Sequence, residues 1–196
     1  MGLFYLFTIL IPILSRKPNT MKRIFGIAIF TTLMACNQAE QKSTETKDST
    51  KTEATSVKNE VLIKDEKKLA IFKNYVNLKN ALVRSDAANA QKTAAVLKNS
   101  LAAYEGCEPT AEIAQKIAAS NNLVIQRKDF TALSADIIAL LKNAEIEKGT
   151  IYVQHCPMAN KGDGGDWLST EKEIKNPYYG NEMLECGRVA EEIKAK

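Results

Sequence analysis

The fold class of this chain is decided by the stretch DEKKLAIFKNYVNLKNALVR, residues 65–84. Its large apolar residues recur at intervals of four, three and four, so they lie along one face of an α-helix. These residues are Ile71, Tyr75, Leu78 and Leu82. An apolar stripe of this kind predicts a helix that buries one side against neighbouring elements.

Three more amphipathic patterns follow. Asp86 can cap a second helix, Pro109 suits the first turn of a short third helix, and a fourth helix extends from about Asn122 to Ala144. Short connections between such helices favour an up-and-down bundle of about four helices. The apolar positions of these three patterns are Ala87, Ala90, Ala94, Leu97, Leu101, Tyr104, Ile113, Ile117, Phe130, Leu133, Ile137, Leu140 and Ala144.

The helical periodicity stops at Gly149. Residues 151–153 are β-rich and predict a short strand. Thr170 and Glu173 have the spacing of a capping box, which predicts a short helix, and residues 189–193 predict a terminal amphipathic helix. The expected fold is therefore mainly α, with the bundle followed by an irregular Cys-, Met- and Gly-rich region containing a short strand and short helices.

The start of the chain has the features of an export signal. Met21 is followed by two basic residues, an apolar run over residues 24–33, and the sequence Leu-Met-Ala before Cys36. This order resembles the lipobox of bacterial lipoproteins, in which the signal is removed and the Cys is acylated. We therefore interpret residues 1–35 as a leader, with translation expected to start at Met21, and Cys36 as a lipidation site.

One long anchor over residues 3–34 is the alternative, but charged residues interrupt it and are costly at bilayer depth. Residues 36–60 lack aromatic residues and are rich in Lys, Glu, Ser and Thr. This composition is typical of a disordered tether. Residues 61–196 remain, which is a suitable length for one domain with one core.

The charge balance disfavours nucleic acid as a partner. Four of the 27 Lys and Arg residues precede Cys36, so the remaining 23 equal the 23 Asp and Glu residues. A neutral mature chain lacks the clustered basic face that nucleic-acid binding requires.

Residues 152–187 contain the chemistry-bearing side chains: the only His, the only Trp and two of the four Cys. Thiolate and thioether ligands select Cu(I), and imidazole suits several transition metals. Zn(II) is less well served, because thioethers are weak ligands for it. The candidate Cu(I) or Ag(I) ligands are Cys156, Met158, Met183, Cys186 and His155.

Other interpretations of the same residues stay open at this point. Cys156 and Cys186 can form a disulfide in an oxidising compartment, the two Met can be packing residues, and His155 can stabilise the loop. A catalytic thiol is not expected, because no C-x-x-C pair is present and the single His is a sequence neighbour of a Cys.

The segment YVQHCPMANKGDGGDWLSTEKEIKNPYYGNEMLECG resembles the signature of a family known as a domain of unknown function. Members of that family occur as lipoproteins of Gram-negative bacteria and at the C-terminal end of some membrane-fusion subunits of heavy-metal (copper and silver) efflux pumps. The resemblance covers about residues 65–196, and residues 163–166 are more acidic than its usual pattern. The matching residues are Tyr152, Gln154, Cys156, Pro157, Met158, Ala159, Trp167, Leu168, Ser169, Glu171, Glu173, Ile174, Asn176, Pro177, Tyr178, Gly180, Met183, Leu184, Cys186 and Gly187.

The resemblance implies a lipid-anchored protein of a Gram-negative cell envelope, periplasmic or at the outer membrane, that handles Cu(I) or Ag(I). Its expected partners are the membrane, through the lipid, and components of a heavy-metal efflux pump. Trp167 would then cover the metal. The second hypothesis is a non-catalytic interaction module, stapled by a Cys156–Cys186 disulfide, with a recognition surface of Trp167, Tyr178 and Tyr179.

Overall fold

The computed structural model describes residues 60–195. The predicted leader, the predicted lipidation site Cys36 and residues 36–59 of the predicted tether lie outside this part. Within residues 60–195, no helix is long and apolar enough to span a membrane.

Four helices form an up-and-down bundle, which confirms the predicted fold class. Each helix packs chiefly against the next one in sequence. The helices are α1 (Glu66–Val83), α2 (Ala87–Ala102), α3 (Glu108–Ala119) and α4 (Leu123–Lys142).

Polar residues fix the start of each long helix. The Asp65 carboxylate accepts two backbone N–H groups in the first turn of α1, and the Asn122 side-chain oxygen accepts two in α4. The Asp86 carboxylate accepts one in α2. Each such cap stabilises its helix by about 1 kcal/mol. Pro109 lies in the first turn of α3, where its missing N–H has no partner to lose.

The predicted apolar faces form the interior of the bundle. Full burial of each large side chain contributes about 1.5–3 kcal/mol. The largest completely buried side chains of the helices are Ile71, Phe72, Tyr75, Leu78, Leu82, Leu97, Leu101, Ile117, Phe130, Leu133 and Ile137.

Two antiparallel sheets complete the domain. The short strands β1 (Leu62–Ile63) and β2 (Ile146–Lys148) pair with each other. The C-terminal region forms a three-stranded sheet in the order β4-β3-β5, from β3 (Thr150–Cys156), β4 (Gly165–Ser169) and β5 (Arg188–Lys194). The predicted short strand is thus the centre of a sheet.

The predicted terminal helix over residues 189–193 is wrong, because these residues belong to β5. Val189 and Ile193 are four apart, a spacing that suits one face of a helix and equally one face of a strand. The residues between them favour helix, but backbone pairing with β3 overrides that propensity, with a bulge opposite Val153 and Gln154.

The predicted short helix from Thr170 is also wrong. Residues 170–187, which we call the cysteine loop, contain turns and one short 3-10 segment, Gly180–Glu182. The Gln154 side-chain amide donates to the carbonyls of Glu171 at 2.9 Å and Glu173 at 3.1 Å. In a helix these carbonyls would accept backbone N–H groups of the same helix. Here they accept the side-chain amide of Gln154 in β3 instead.

The sheet contacts the bundle through a buried tyrosine. The Tyr75 hydroxyl of α1 lies 2.7 Å from the Ser134 hydroxyl of α4 and accepts the Leu168 N–H of β4 at 3.1 Å. Its ring stacks on Phe130 with centroids 5.4 Å apart, and Phe130 meets Tyr178 edge to face. Burial raises the pKa of Tyr75 above its ordinary value, so the hydroxyl stays neutral and can donate.

An arginine attaches the cysteine loop to the helices. Arg127 of α4 donates from Nε to the Pro177 carbonyl at 2.9 Å. Its Nη2 donates to the Leu82 carbonyl at 3.1 Å and to the Ser85 hydroxyl at 2.9 Å. One side chain thereby ties the loop to the corner between α1 and α2.

Candidate functional site

The structure brings two of the predicted ligands into contact. Cys156 ends β3 and is completely buried, and Cys186 is half-buried just before β5. Their Sγ atoms lie 2.7 Å apart. The two sulfur atoms, 30 residues apart in sequence, therefore form one dithiol site.

The environment of Cys186 keeps its thiol protonated. Its pKa is raised by the hydrogen bond to Cys156, then by burial and by electrostatic interaction with Cys156, while the Met158 backbone N–H acts in the opposite direction. A soft metal ion that binds here must displace these protons. Metal affinity at the site is therefore expected to increase with pH.

Two methionines border the dithiol. The Met158 backbone lies against the Cys186 sulfur, and its carbonyl accepts the Tyr179 hydroxyl at 2.6 Å. Met158 itself is 55% exposed. Met183 is half-buried, and its carbonyl accepts the Cys186 N–H at 3.1 Å. Both backbones are close to the dithiol, and the Met158 side chain is accessible from solvent.

His155 is not brought to the sulfur atoms. It precedes Cys156 in β3, and successive side chains of a strand point to opposite faces of the sheet. Its Nδ1 lies 2.8 Å from the carboxylate of Asp166, its cross-strand neighbour. The geometry places His155 in this partly exposed contact with Asp166 rather than beside the dithiol.

The expectation of an exposed aromatic surface is wrong for two of its three residues. Trp167 is completely buried and Tyr178 is 6% exposed. Their rings meet edge to face with centroids 6.1 Å apart, and the Tyr178 hydroxyl donates to the Asp166 carbonyl at 2.8 Å. Tyr179 is half-buried. The Tyr178 ring packs against Phe130 of α4 and its hydroxyl binds β4, so Tyr178 fastens the cysteine loop to both elements.

Gly187 permits the close approach that places Cys186. Its φ is +146°, and a Cβ there would lie 2.8 Å from the His155 carbonyl oxygen and 3.0 Å from Cη2 of Trp167. Any other residue would be strained in this conformation and would also clash with β3. The glycine after Cys186 is therefore needed for the two strands and the loop to meet.

Sequence reasoning missed the role of Asn176, which is completely buried in the cysteine loop. Its Oδ1 accepts the N–H groups of Tyr178 at 2.8 Å and Tyr179 at 3.3 Å, and its Nδ2 donates to the Cys186 carbonyl at 2.9 Å. The only signal was its place in the N-P-Y part of the motif, which does not reveal what an amide side chain contacts.

The donor set limits which metal the site suits. Within residues 60–195, no group of three or more His, Cys, Asp and Glu side chains could hold a metal ion. A four-ligand Zn(II) site of the usual kind therefore does not fit these side chains. Two thiols in contact, with the backbones of Met158 and Met183 close to Cys186, fit a soft ion with few ligands, such as Cu(I) or Ag(I).

A separate groove of about 510 Å³ lies along α1. It is lined by Glu60, Val61, Phe72, Lys73, Val76, Asn77 and Thr170. None of these residues is a Cys or a Met, so the groove is not part of the dithiol site.

Residues 71–149 match a family described as a protein of unknown function (DUF3347). This match begins within α1, extends to the end of β2 and stops before the dithiol motif. No curated protein and no solved structure matches the chain.

Proposed function

We propose that this protein is a lipid-anchored, extracytoplasmic carrier of a soft metal ion, Cu(I) or Ag(I), which buffers the ion or passes it to an efflux pump. The observation that supports the proposal most is the 2.7 Å contact between the sulfur atoms of Cys156 and Cys186. The proposed anchor, Cys36, lies outside the described residues. It rests on the lipobox-like sequence alone.

The exposed thioether of Met158 gives the site an entrance. A metal ion arriving from a donor would meet Met158 and Cys186 before the completely buried Cys156. Thioethers bind Cu(I) weakly enough to release it and strongly enough to guide it, because they are soft but neutral ligands. We propose the order Met158, Cys186 and Cys156 for metal entry, and the reverse for release.

The test is a Cu(I) titration of the anaerobically reduced chain, residues 36–196 carrying Cys36→Ser, against a competing chelator. We expect one tight Cu(I) per chain, lost in Cys156→Ser and in Cys186→Ser. Cys107→Ser is the matched control, because this third thiol is buried at the start of α3, away from the sheet. Binding as weak as that of an isolated thiol, or binding retained in both variants, would contradict the proposal.

The same sulfur contact favours a second candidate, a non-catalytic interaction module stapled by a Cys156–Cys186 disulfide. Its recognition surface would have to exclude Trp167 and Tyr178, which are buried. Alkylation of the protein taken directly from cells, followed by mass spectrometry, separates the candidates. A fully oxidised pair supports the staple, and a reduced or metal-protected pair supports the carrier.

A further inference from the structure

Cys186 lies in a loop, and a loop residue needs a fixed support to form a preorganised pair with a strand residue. Cys156 has such support from the sheet, since β3 pairs with β4 on one side and with β5 on the other. Cys186 precedes β5 and is outside the paired residues. Something other than strand pairing must therefore hold its sulfur against Cys156.

Asn176 provides this support through five hydrogen bonds within one loop. Its backbone N–H donates to the Leu184 carbonyl at 2.8 Å, and its backbone carbonyl accepts the Gly180 N–H at 3.0 Å. Its side chain accepts two N–H groups and donates to the Cys186 carbonyl at 2.9 Å. Asn176 is 0% exposed, so these bonds do not compete with water and their loss would leave buried polar groups without partners.

We infer that Asn176 is the positioning residue of the dithiol. The hydrogen bond from its side-chain amide to the Cys186 carbonyl sets how readily the pair closes to a disulfide. This inference rests on the dithiol of the proposed function, because oxidation removes both thiolates that would bind the metal. The redox equilibrium of the pair then decides whether a metal site exists. A looser Cys186 lowers the effective concentration of one thiol at the other.

The exchange reaction with glutathione disulfide follows from the exposure of the two thiols. Cys186, the more exposed thiol of the two, first loses its proton. Its sulfur then attacks one glutathione sulfur and releases one glutathione thiolate. The completely buried Cys156 then attacks the Cys186 sulfur in the mixed disulfide and releases the second glutathione thiolate. Two electrons pass from the pair to glutathione disulfide, and the two thiol protons go to the two glutathione thiolates.

The experiment measures the equilibrium constant of the pair against reduced and oxidised glutathione, in residues 36–196 carrying Cys36→Ser, without metal. Asn176→Asp keeps an acceptor for the Tyr178 and Tyr179 N–H groups and replaces the donor to Cys186 with a repelling carboxylate oxygen. We expect this substitution to lower the constant for disulfide formation at least tenfold. A constant within about twofold of the unsubstituted protein would overturn the inference.

Asn160→Asp is the matched control. The Asn160 amide also donates to a backbone carbonyl, that of Gly164 at 2.8 Å, in the other loop beside the dithiol. That loop follows Cys156, which β3 already fixes, so we expect no change in the constant. An equal loss in both variants would overturn the inference, because it would indicate general loosening. If Asn176→Asp affected only the fold, it would lower the thermal stability of both redox forms and leave the equilibrium constant unchanged. That result would also overturn the inference.

A measurement on the unsubstituted protein decides the matter if Asn176→Asp does not fold. The side-chain amide NMR signals of Asn176 should shift when glutathione disulfide oxidises the pair, and those of Asn160 should not. Unshifted Asn176 signals would overturn the inference. Neither arm uses metal, so a failure of Cu(I) binding and a failure of this inference are separate results.

Discussion

The helical bundle is held together by apolar side chains, whereas the cysteine loop is held by side chains that bind particular backbone groups. In the bundle, capped helices bury stripes of Leu, Ile and aromatic residues. Carbonyls of the cysteine loop are bound by Arg127 of α4, by Gln154 of β3 and by Asn176 of the loop itself. An apolar position accepts several residues of similar volume, but a bond to one carbonyl requires one donor in one place.

This difference has a consequence for the site. The bundle supplies a rigid body on which the sheet is mounted, through Tyr75 and Arg127. The cysteine loop fixes the position of Cys186 relative to Cys156, because its buried hydrogen bonds are satisfied in only one geometry. Substitutions in the two regions should therefore have effects of different kinds.

The largest effect is expected from Gly187→Ala. The new Cβ would lie 2.8 Å from the His155 carbonyl oxygen at a backbone φ of +146°. Strain and overpacking together should lower the free energy of unfolding by about 3 kcal/mol, as measured by urea denaturation. Gly106→Ala is the control, with a φ of +85° and no atom within 4 Å of its Cβ. It should cost only about 1 kcal/mol, and equal losses would contradict the role given to Gly187.

The next effect concerns Lys79, on the side of α1 that faces the cysteine loop. Lys79 is 3% exposed, and burial lowers its pKa to about 8, while Glu171 acts in the opposite direction. Below that pH the folded protein contains a buried ammonium group. Lys79→Met should therefore raise the free energy of unfolding at pH 7 by about 1–3 kcal/mol.

The pH dependence of this effect has a definite sign. Between the folded pKa of about 8 and the unfolded value of about 10.4, the unfolded chain holds a proton that the folded protein has lost. The stability contributed by Lys79 is thus present above this window and lost as the pH falls through it. The advantage of Lys79→Met should shrink between pH 7 and pH 10, and an advantage independent of pH would contradict the assignment.

The smallest predicted effect is on metal affinity rather than stability. Met158→Leu keeps the volume of an exposed side chain and removes the thioether. We expect the Kd for Cu(I) to rise about tenfold, or about 1.4 kcal/mol, with unchanged unfolding. Val124→Leu, at a residue that is 77% exposed and lies on α4, is a surface control and should change neither quantity. Unaltered affinity in Met158→Leu would remove Met158 from the entry path.

The sequence was sufficient for the bundle because its periodicity reports burial directly. Ile71, Tyr75, Leu78 and Leu82 are spaced as a helix requires, and all four are completely buried. The C-terminal sheet was largely missed, because β5 contains helix-forming residues whose spacing suits either structure. Pairing with β3 decided the outcome, and a partner strand cannot be read from the segment itself.

The candidate site was predicted in part, for a similar reason. Residue chemistry pointed to Cys156 and Cys186, and the structure brings them together. The same chemistry added His155 as a fifth candidate ligand, although the position of this residue in β3 places it on the other face of the sheet. The alternative hypothesis placed Trp167 and Tyr178 on a recognition surface, and both are buried. Chemistry identifies which side chains are able to act, but only the register of the strands decides which of them face each other.

We propose that a soft metal binds through sulfur alone, on the face of β3 that carries Cys156. X-ray absorption at the copper edge of the Cu(I)-loaded protein tests the ligand set. We expect about two or three sulfur atoms around copper, no scattering from an imidazole ring, and an unchanged spectrum in His155→Ala. Imidazole scattering that disappears in His155→Ala, or a sulfur environment that survives in Cys156→Ser, would contradict it.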